Sequence, residues 1–317
     1  MSWLERLQSL LVAAAALIGL ALGLLSPVGA YGEYVIIPAL LVMLTAIFFQ
    51  IESAQIGEIR RAKALVGLSL VLNYLFTPAL AWALGAGLLG GQPDLRIGLL
   101  LLLVTPCTDW YLVFTALARG HTGIAAALLP VNLILQLLLL PVYVLLLGGE
   151  AAMVDAGTLA EAVGLMLLTP VLLAIAARWL LRRRRDAVQA RAQNWASGVV
   201  VPLLCLAVAA MFAWQAPVIA ESGTELLMLL PALGIFFILL PLLATAAART
   251  VGLSGDQRVT LTMVTTARNS PIALGIAVAA FPDRPLIAVA LVLGPLVELP
   301  VLAALAQITR YRGPQRA

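Results

Sequence analysis

Apolar segments long enough to cross a lipid bilayer follow one another along nearly the whole chain. A transmembrane helix needs about 20 predominantly apolar residues, and 63% of the 317 residues are hydrophobic while only 11% are charged. The segments are continuous and rich in Leu and Ala, which excludes the alternating pattern of an outer-membrane barrel. Ten segments fit this description, at residues 10–26, 34–50, 64–89, 96–118, 122–147, 159–181, 196–215, 225–247, 257–281 and 286–310. The sequence therefore predicts an all-α polytopic membrane protein with ten transmembrane helices and no soluble domain.

The basic residues are distributed unevenly between the two sides of the membrane. The chain carries 19 Lys and Arg residues and a formal net charge of +4, a balance that also occurs in nucleic-acid-binding proteins. With ten spans, sixteen basic residues fall on the side that holds both termini, Arg96 and Arg284 fall on the other side, and Arg268 falls inside a span. The positive-inside rule therefore predicts cytoplasmic termini, a plasma-membrane location and no nucleic-acid partner, with the run at 182–185 anchored at the lipid surface. The first segment has one alternative interpretation, a secretory signal.

Ten spans divide into two sets of five. Because five is odd, the second set enters the membrane with the opposite orientation, as in the inverted repeats of secondary transporters. Paired prolines support this division, since 24 residues separate the members of each pair: Pro106 and Pro130, Pro271 and Pro295. We predict two inverted five-helix repeats, at residues 1–149 and 150–317.

Pro106 and Pro271 interrupt the fourth and ninth spans near their centres. Proline removes a backbone donor and disfavours helix at the preceding residue, and a break at mid-depth is tolerated only inside protein or beside a wet cavity. The polar residues of both spans gather at these breaks: Thr105, Cys107, Thr108, Asp109, Thr265, Thr266, Arg268, Asn269 and Ser270. We therefore predict two crossed broken helices rather than a pair of ordinary proline kinks.

The crossing is the predicted binding site. The start of a half-helix carries partial positive charge and suits anionic or oxygen-rich ligands. Cys107 adds a soft sulfur ligand that favours thiophilic solutes, and Cys205 is expected to be a packing residue, so no disulfide is predicted. We expect a small solute to bind through five side chains: Cys107, Thr108, Arg268, Asn269 and Ser270. No cofactor, no resident metal ion and no enzymatic activity is predicted, because the chain has no zinc-ligand helix, serine–histidine pair or carboxylate dyad.

Charged side chains inside the spans are candidates for ion coupling. A charge at the bilayer centre costs at least about 2.5–3.5 kcal/mol, so we predict that Asp109 and Arg268 pair and that Asp109 takes up a proton during transport. A purely structural ion pair is the alternative. Glu298 is a second carboxylate, for which cation or proton coupling and a buried helix contact are both open. Three weaker candidates are expected to form interhelical hydrogen bonds: Asn73, Asn132 and Gln136.

At these residues the chain resembles the arsenite efflux permeases, one branch of the bile acid:sodium symporter superfamily. The segment Pro106-Cys107-Thr108, followed by Leu117 and Gly120, is similar to their fourth-span signature, and residues 294–301 are similar to their tenth span. The resemblance implies ten helices in a core-and-panel arrangement with crossed broken helices. It also implies export of trivalent arsenic, with Cys107 contacting the metalloid.

The break of the ninth span departs from this family pattern. The family usually has a pair of asparagines and a glutamate there, whereas this chain reads Arg268-Asn269-Ser270-Pro271-Ile272-Ala273. A fixed positive charge at Arg268 can occupy the place of a coupling cation, which puts sodium coupling in doubt. The leading hypothesis is a proton-coupled arsenite antiporter of the inner membrane. The alternative is a sodium- or proton-coupled carrier of a small organic anion drawn to Arg268.

Overall fold

The computed structural model describes residues 3–50, 62–107, 110–148, 156–182 and 186–312, and over these residues the chain is helical, with no strand. Its α-helices are α1 (Trp3–Leu25), α2 (Gly32–Gln50), α3 (Lys63–Val71), α4 (Thr77–Leu88), α5 (Pro93–Val104), α6 (Trp110–Leu117), α7 (Thr122–Leu147), α8 (Ala156–Val163), α9 (Thr169–Leu181), α10 (Asp186–Trp214), α11 (Ala216–Leu226), α12 (Leu229–Thr250), α13 (Gly255–Thr266), α14 (Ser270–Ala280) and α15 (Pro285–Arg312). The π-helical turns Leu72–Phe76 and Gly164–Leu168 join α3 to α4 and α8 to α9, and a 3-10 turn, Pro27–Tyr31, precedes α2. The predicted all-α class is confirmed for these residues.

Long apolar helices make the chain a multi-pass membrane protein. Large apolar side chains such as Leu146 and Ile238 are 74% and 66% exposed, whereas Arg268 is 1% exposed, which is the pattern of a chain solvated by lipid. Within the described residues, six segments are long and apolar enough to cross a membrane, and α7, bent by 50°, makes a seventh. The six are Pro27–Gln50, Lys63–Leu88, Gly157–Leu181, Ala187–Trp214, Gly223–Thr250 and Pro285–Thr309.

The predicted fourth and ninth spans are missing from this set because each is divided. Helices α5 and α6 have 12 and 8 residues, and α13 and α14 have 12 and 11 residues, so none reaches the length of about 20 that a span needs. Helix α14 begins at Ser270, which places Pro271 in the first turn, where its missing N–H removes no intrahelical bond. The ninth-span break therefore lies at residues 267–269, just before the proline. The total of ten spans stays a prediction.

The chain forms two compact units. The first comprises Met1–Ile51, Glu150–Leu227 and Ser270–Leu296, and the second comprises Glu52–Gly149, Met228–Asn269 and Val297–Ala317. Each unit takes segments from both halves of the chain, whereas the predicted repeat relates 1–149 to 150–317 by topology, and that repeat stays a prediction. Of the basic run predicted to lie at the lipid surface, residues 183–185 lie outside the described residues.

In the first unit, α1 and α2 pack against α10 through small residues. Gly19 and Gly23 of α1 lie against the backbone of Ala209 and Ala213 of α10. Small residues four apart let membrane helices approach closely. This packing favours α1 as a transmembrane helix over a secretory signal.

We expect Gly23→Ala to destabilise the first unit. A Cβ at this position would collide with the carbonyl oxygen of Ala213 and lie 2.6 Å from the Cβ of Ala216, so the helices must separate, at a cost of about 1–3 kcal/mol. Thermal unfolding of the purified protein in detergent measures the loss. Gly67→Ala on α3 is the matched control, since nothing lies within 4 Å of its added methyl group. Equal melting temperatures for the two variants would contradict the close packing.

In the second unit, α12 packs along α13, and α4 packs along α5. Ser254 and Gln257 form a capping box at the start of α13, which satisfies two of its unpaired N–H groups. The loop between α6 and α7 is tied to α13 because the N–H of His121 donates to the Oγ1 of Thr260 at 2.7 Å. These contacts hold the broken helix α13, whose C-terminal end carries the candidate site.

Candidate functional site

The breaks after α5 and α13 meet in the second unit. Pro106 and Arg268 form an isolated antiparallel bridge. Two main-chain hydrogen bonds flank it, from Cys107 N–H to the Ala267 carbonyl at 3.1 Å and from Asn269 N–H to the Thr105 carbonyl at 2.8 Å. Backbone groups that leave a helix inside a membrane need such partners. The two breaks therefore meet through main-chain atoms, and the crossing of the two helices stays a prediction.

Threonine hydroxyls at the breaks form hydrogen bonds with carbonyls in the last turns of the helices. The Oγ1 of Thr105 donates to the carbonyl of Leu101 at 2.8 Å, and the Oγ1 of Thr265 donates to the carbonyl of Leu261 at 2.8 Å. Each hydroxyl bonds one turn back in its own helix, a common fate of threonine in helices. Some of the polar side chains at the breaks therefore form hydrogen bonds with backbone carbonyls of their own helix.

The guanidinium of Arg268 is buried against the C-terminal ends of both broken helices. Its Nη1 donates to the carbonyl of Leu103 at 2.8 Å, and its Nε donates to the carbonyl of Thr266 at 3.4 Å. Its Nη2 donates to the carbonyl of Thr265 and to the Oδ1 of Asn73, the latter at 2.9 Å. The last carbonyls of a helix have no intrahelical donor and carry partial negative charge. One cation therefore donates to unpaired carbonyls, and offsets the partial negative charge, at the C-terminal ends of both α5 and α13.

An aromatic ring and a carboxylate complete the surroundings of Arg268. Its Cζ lies 5.1 Å from the centroid of the Phe236 ring, within the range of a cation–π interaction. Its backbone N–H donates to the Oε1 of Glu298 at 2.8 Å. Glu298, on α15, is 3% exposed. The structure thus places the predicted coupling carboxylate against the main chain of the buried arginine.

The predicted ion pair between Asp109 and Arg268 involves a residue that is not described. Thr108 and Asp109 lie outside the described residues. Among the described residues, the guanidinium acceptors are carbonyl and amide oxygens. Pairing by Asp109 and solute contact by Thr108 stay predictions.

The other predicted solute ligands lie along the junction. Cys107 is completely buried, and Asn269 is also buried. Ser270 begins α14, and its buried Oγ has no hydrogen-bond partner among the described residues. The structure therefore brings Cys107, Arg268 and Asn269 to one junction, with Ser270 next along the chain and Glu298 bound to Arg268.

Two of the three weaker polar candidates form the expected hydrogen bonds. Asn73 accepts from Arg268, and Asn132 accepts from the hydroxyl of Tyr74 at 2.9 Å through its carbonyl and at 3.4 Å through its Oδ1. Neither polar atom of the Gln136 side chain has a partner within the described residues. The expectation of a hydrogen bond from Gln136 is therefore wrong for this part of the chain.

Tyr143 donates to the main chain next to Asn73, and the sequence did not single it out. Pro78 has no N–H to offer the carbonyl of Tyr74 one turn earlier, and the chain forms the π-helical turn Leu72–Phe76 just before it. The hydroxyl of Tyr143 donates to that carbonyl at 2.6 Å. Pro78, one turn after Tyr74, was the available signal, because it implies that the Tyr74 carbonyl needs another donor.

Tyr143→Phe is expected to lower the melting temperature, because the Tyr74 carbonyl loses the donor that compensates for Pro78. Leaving a buried acceptor unsatisfied costs about 1–3 kcal/mol. In a Pro78→Ala background the new N–H can replace the tyrosine hydroxyl, so the same substitution should cost less than about 0.5 kcal/mol. Thermal unfolding of the four proteins of this double-mutant cycle measures the coupling. An equal cost in both backgrounds would contradict the compensation.

Paired helix breaks that enclose buried polar groups in a multi-pass protein are typical of membrane transporters. Residues 37–222 match the family model of the Sodium Bile acid symporter family, and the chain belongs to that family. The predicted membership of the bile acid:sodium symporter superfamily is thereby confirmed.

Three relatives share about a quarter of their residues with this chain. The arsenical-resistance protein Acr3 of Corynebacterium glutamicum is 24% identical over 87% of this chain and 78% of that protein. The uncharacterized transporter slr0944 of Synechocystis sp. is 25% identical over 99% of this chain and 91% of that protein. The uncharacterized protein YbaS of Bacillus subtilis is 25% identical over 75% of this chain and 76% of that protein.

Proposed function

We propose that the chain is a secondary active transporter, rather than an enzyme, that exports trivalent arsenic as arsenite. The observation that carries the proposal is the position of Cys107, whose side chain is completely buried where two broken helices join. Sulfur is a soft ligand suited to thiophilic species, and a single thiol binds weakly enough to release its solute. The similarity to an arsenical-resistance protein supports the same substrate. We propose Thr108, Asn269 and Ser270 as further solute contacts.

The proposed topology has ten spans with both termini in the cytoplasm, in the plasma membrane. Six long segments and the bent α7 supply seven of them. Helix α1 and the broken pairs α5/α6 and α13/α14 supply the other three when each pair counts as one span. The excess of Arg on one side of this arrangement supports its orientation.

The surroundings of Arg268 favour a neutral solute over an anion. Arsenite is largely neutral at physiological pH, and a neutral molecule needs no counter-charge in the site. The guanidinium is 1% exposed and donates to three carbonyls and an amide of the protein. These bonds use four of the five N–H donors of the guanidinium, so few donors are left to bind an organic anion. A small organic anion is therefore the second candidate substrate.

We propose that protons drive export, in an antiport cycle. Glu298 is a buried carboxylate bound to the main chain of the junction, and intramembrane carboxylates commonly serve proton relays. Asp109 is the second proposed proton carrier. An acid exterior would then draw a proton inward through this region as arsenite leaves.

Arsenite tolerance in a bacterial host that lacks its own arsenite efflux tests the proposal. We expect the wild-type chain to raise the arsenite concentration that the host survives. We also expect everted membrane vesicles to accumulate arsenite when their interior is made acidic. Immunoblotting of the membranes shows whether the protein is present. If a well-expressed chain gives neither effect, arsenite is not the substrate and the organic-anion candidate takes its place.

A further inference from the structure

Four oxygen atoms converge on the guanidinium of Arg268. Three are the carbonyls of Leu103, Thr265 and Thr266, in the last turns of α5 and α13, and the fourth is the amide oxygen of Asn73. The C-terminal end of a helix carries partial negative charge. Two such ends directed at one point repel each other unless a cation lies between them.

These oxygens form a ligand set that suits a metal cation. Hard cations take backbone-carbonyl and amide oxygens as ligands, and in transporters the C-terminal ends of half-helices coordinate sodium. Here the guanidinium occupies that position, beside the ring of Phe236. The amide of Asn73 is oriented toward the charge, because its oxygen accepts from Arg268 while its buried Nδ2 has no partner among the described residues.

We propose that Arg268 is a tethered cation that takes the place of a bound sodium ion at this junction, so that this member of a sodium symporter family has no sodium requirement. A bound ion can leave and return during each transport cycle, whereas a guanidinium attached between α13 and α14 cannot. Coupling must then use a group that changes its own charge, such as Glu298. Only the statement about coupling rests on the proposed function; the replacement of sodium by Arg268 does not.

The melting temperature of the purified protein in sodium chloride and in choline chloride, at equal concentration, tests the proposal. We expect the wild-type protein to melt at the same temperature in both salts. Arg268→Gln and Arg268→Ala should melt at a lower temperature in choline, and sodium should restore part of the loss. With sodium at about ten times its Kd, the expected rise is about 2 °C.

Two control variants show whether a response to sodium comes from the loss of positive charge at position 268 or from any arginine substitution. Arg268→Lys keeps a cation between the helix ends, so sodium should not stabilise it. Arg284→Gln makes the same chemical change at an arginine that is not bound to this set of oxygens and whose Cζ lies 6.0 Å from the centroid of the Phe281 ring. It should show no response to sodium.

The proposal is overturned if sodium stabilises the wild-type protein, or if neither Arg268→Gln nor Arg268→Ala responds to sodium. Failure of both variants to fold in either salt counts against it as well, because sodium should refill an oxygen set that suits a cation. The melting measurement uses no substrate, so it stands even if arsenite is not transported. Conversely, arsenite uptake that requires sodium would overturn this inference and the proposed proton coupling, and would leave arsenite as the substrate.

Discussion

Cys107→Ala is expected to abolish the arsenite tolerance that the wild-type chain confers. Alanine keeps the backbone N–H that donates to the carbonyl of Ala267, so the junction of the broken helices should persist. It removes the soft sulfur that we propose as the metalloid ligand. Uptake of arsenite into everted vesicles should fall at least about tenfold, which corresponds to about 1.4 kcal/mol.

Two further substitutions show whether the loss comes from sulfur chemistry. Cys107→Ser preserves the size of the side chain but presents a hard oxygen, so it should be as inactive as the alanine variant. Cys205→Ala removes the other cysteine of the chain, which lies half-buried in α10, and should leave tolerance unchanged. Normal uptake by Cys107→Ala at equal expression would exclude the thiol as the metalloid contact.

Prolines and polar clusters made the two breaks predictable from the sequence. Pro106 and Pro271 each remove a donor in the middle of an apolar run, and polar residues gather beside each of them. Proline alone is not sufficient for a break, since Pro202 and Pro241 lie inside continuous helices. The exact position of the second break was less predictable, because proline fits the first turn of a helix as well as it ends one. Helix α14 therefore starts at Ser270, and the break lies before it.

The acceptors of Arg268 were not predictable in the same way. A buried positive charge in a sequence predicts a negatively charged partner, so Asp109 was the predicted partner of Arg268. The carbonyls of Leu103 and Thr265 become acceptors only because α5 and α13 end beside the guanidinium. Any residue has a carbonyl, and apart from a proline one turn later in the chain, no pattern of side chains reveals which carbonyls will lack a donor.

The hydrogen bond of Tyr143 is likewise a tertiary contact that the sequence does not reveal. Its hydroxyl reaches the carbonyl of Tyr74, which is 69 residues away in the chain. Pro78 shows from the sequence that this carbonyl needs a donor, but several hydroxyl-bearing residues are available to supply it. Only the packing of the helices decides which one does.

Glu298→Gln is expected to uncouple transport from the proton gradient without unfolding the protein. Glutamine keeps an oxygen that can accept the N–H of Arg268, the bond that Glu298 makes at 2.8 Å. It cannot take up and release a proton at physiological pH. Arsenite should therefore still equilibrate across vesicles that contain this variant, while an acid interior should no longer drive its accumulation.

Two further variants show whether a loss of coupling in Glu298→Gln comes from the lost proton-binding group or from a change in structure. Glu298→Ala removes the acceptor as well as the charge, so it should lower the melting temperature by the equivalent of about 1–3 kcal/mol, whereas Glu298→Gln should melt close to the wild type. Asp283→Asn neutralises an exposed carboxylate just before α15 and should leave coupling intact. If Glu298→Gln still accumulates arsenite in response to an acid interior, Glu298 does not carry the coupled proton, and Asp109→Asn becomes the decisive variant.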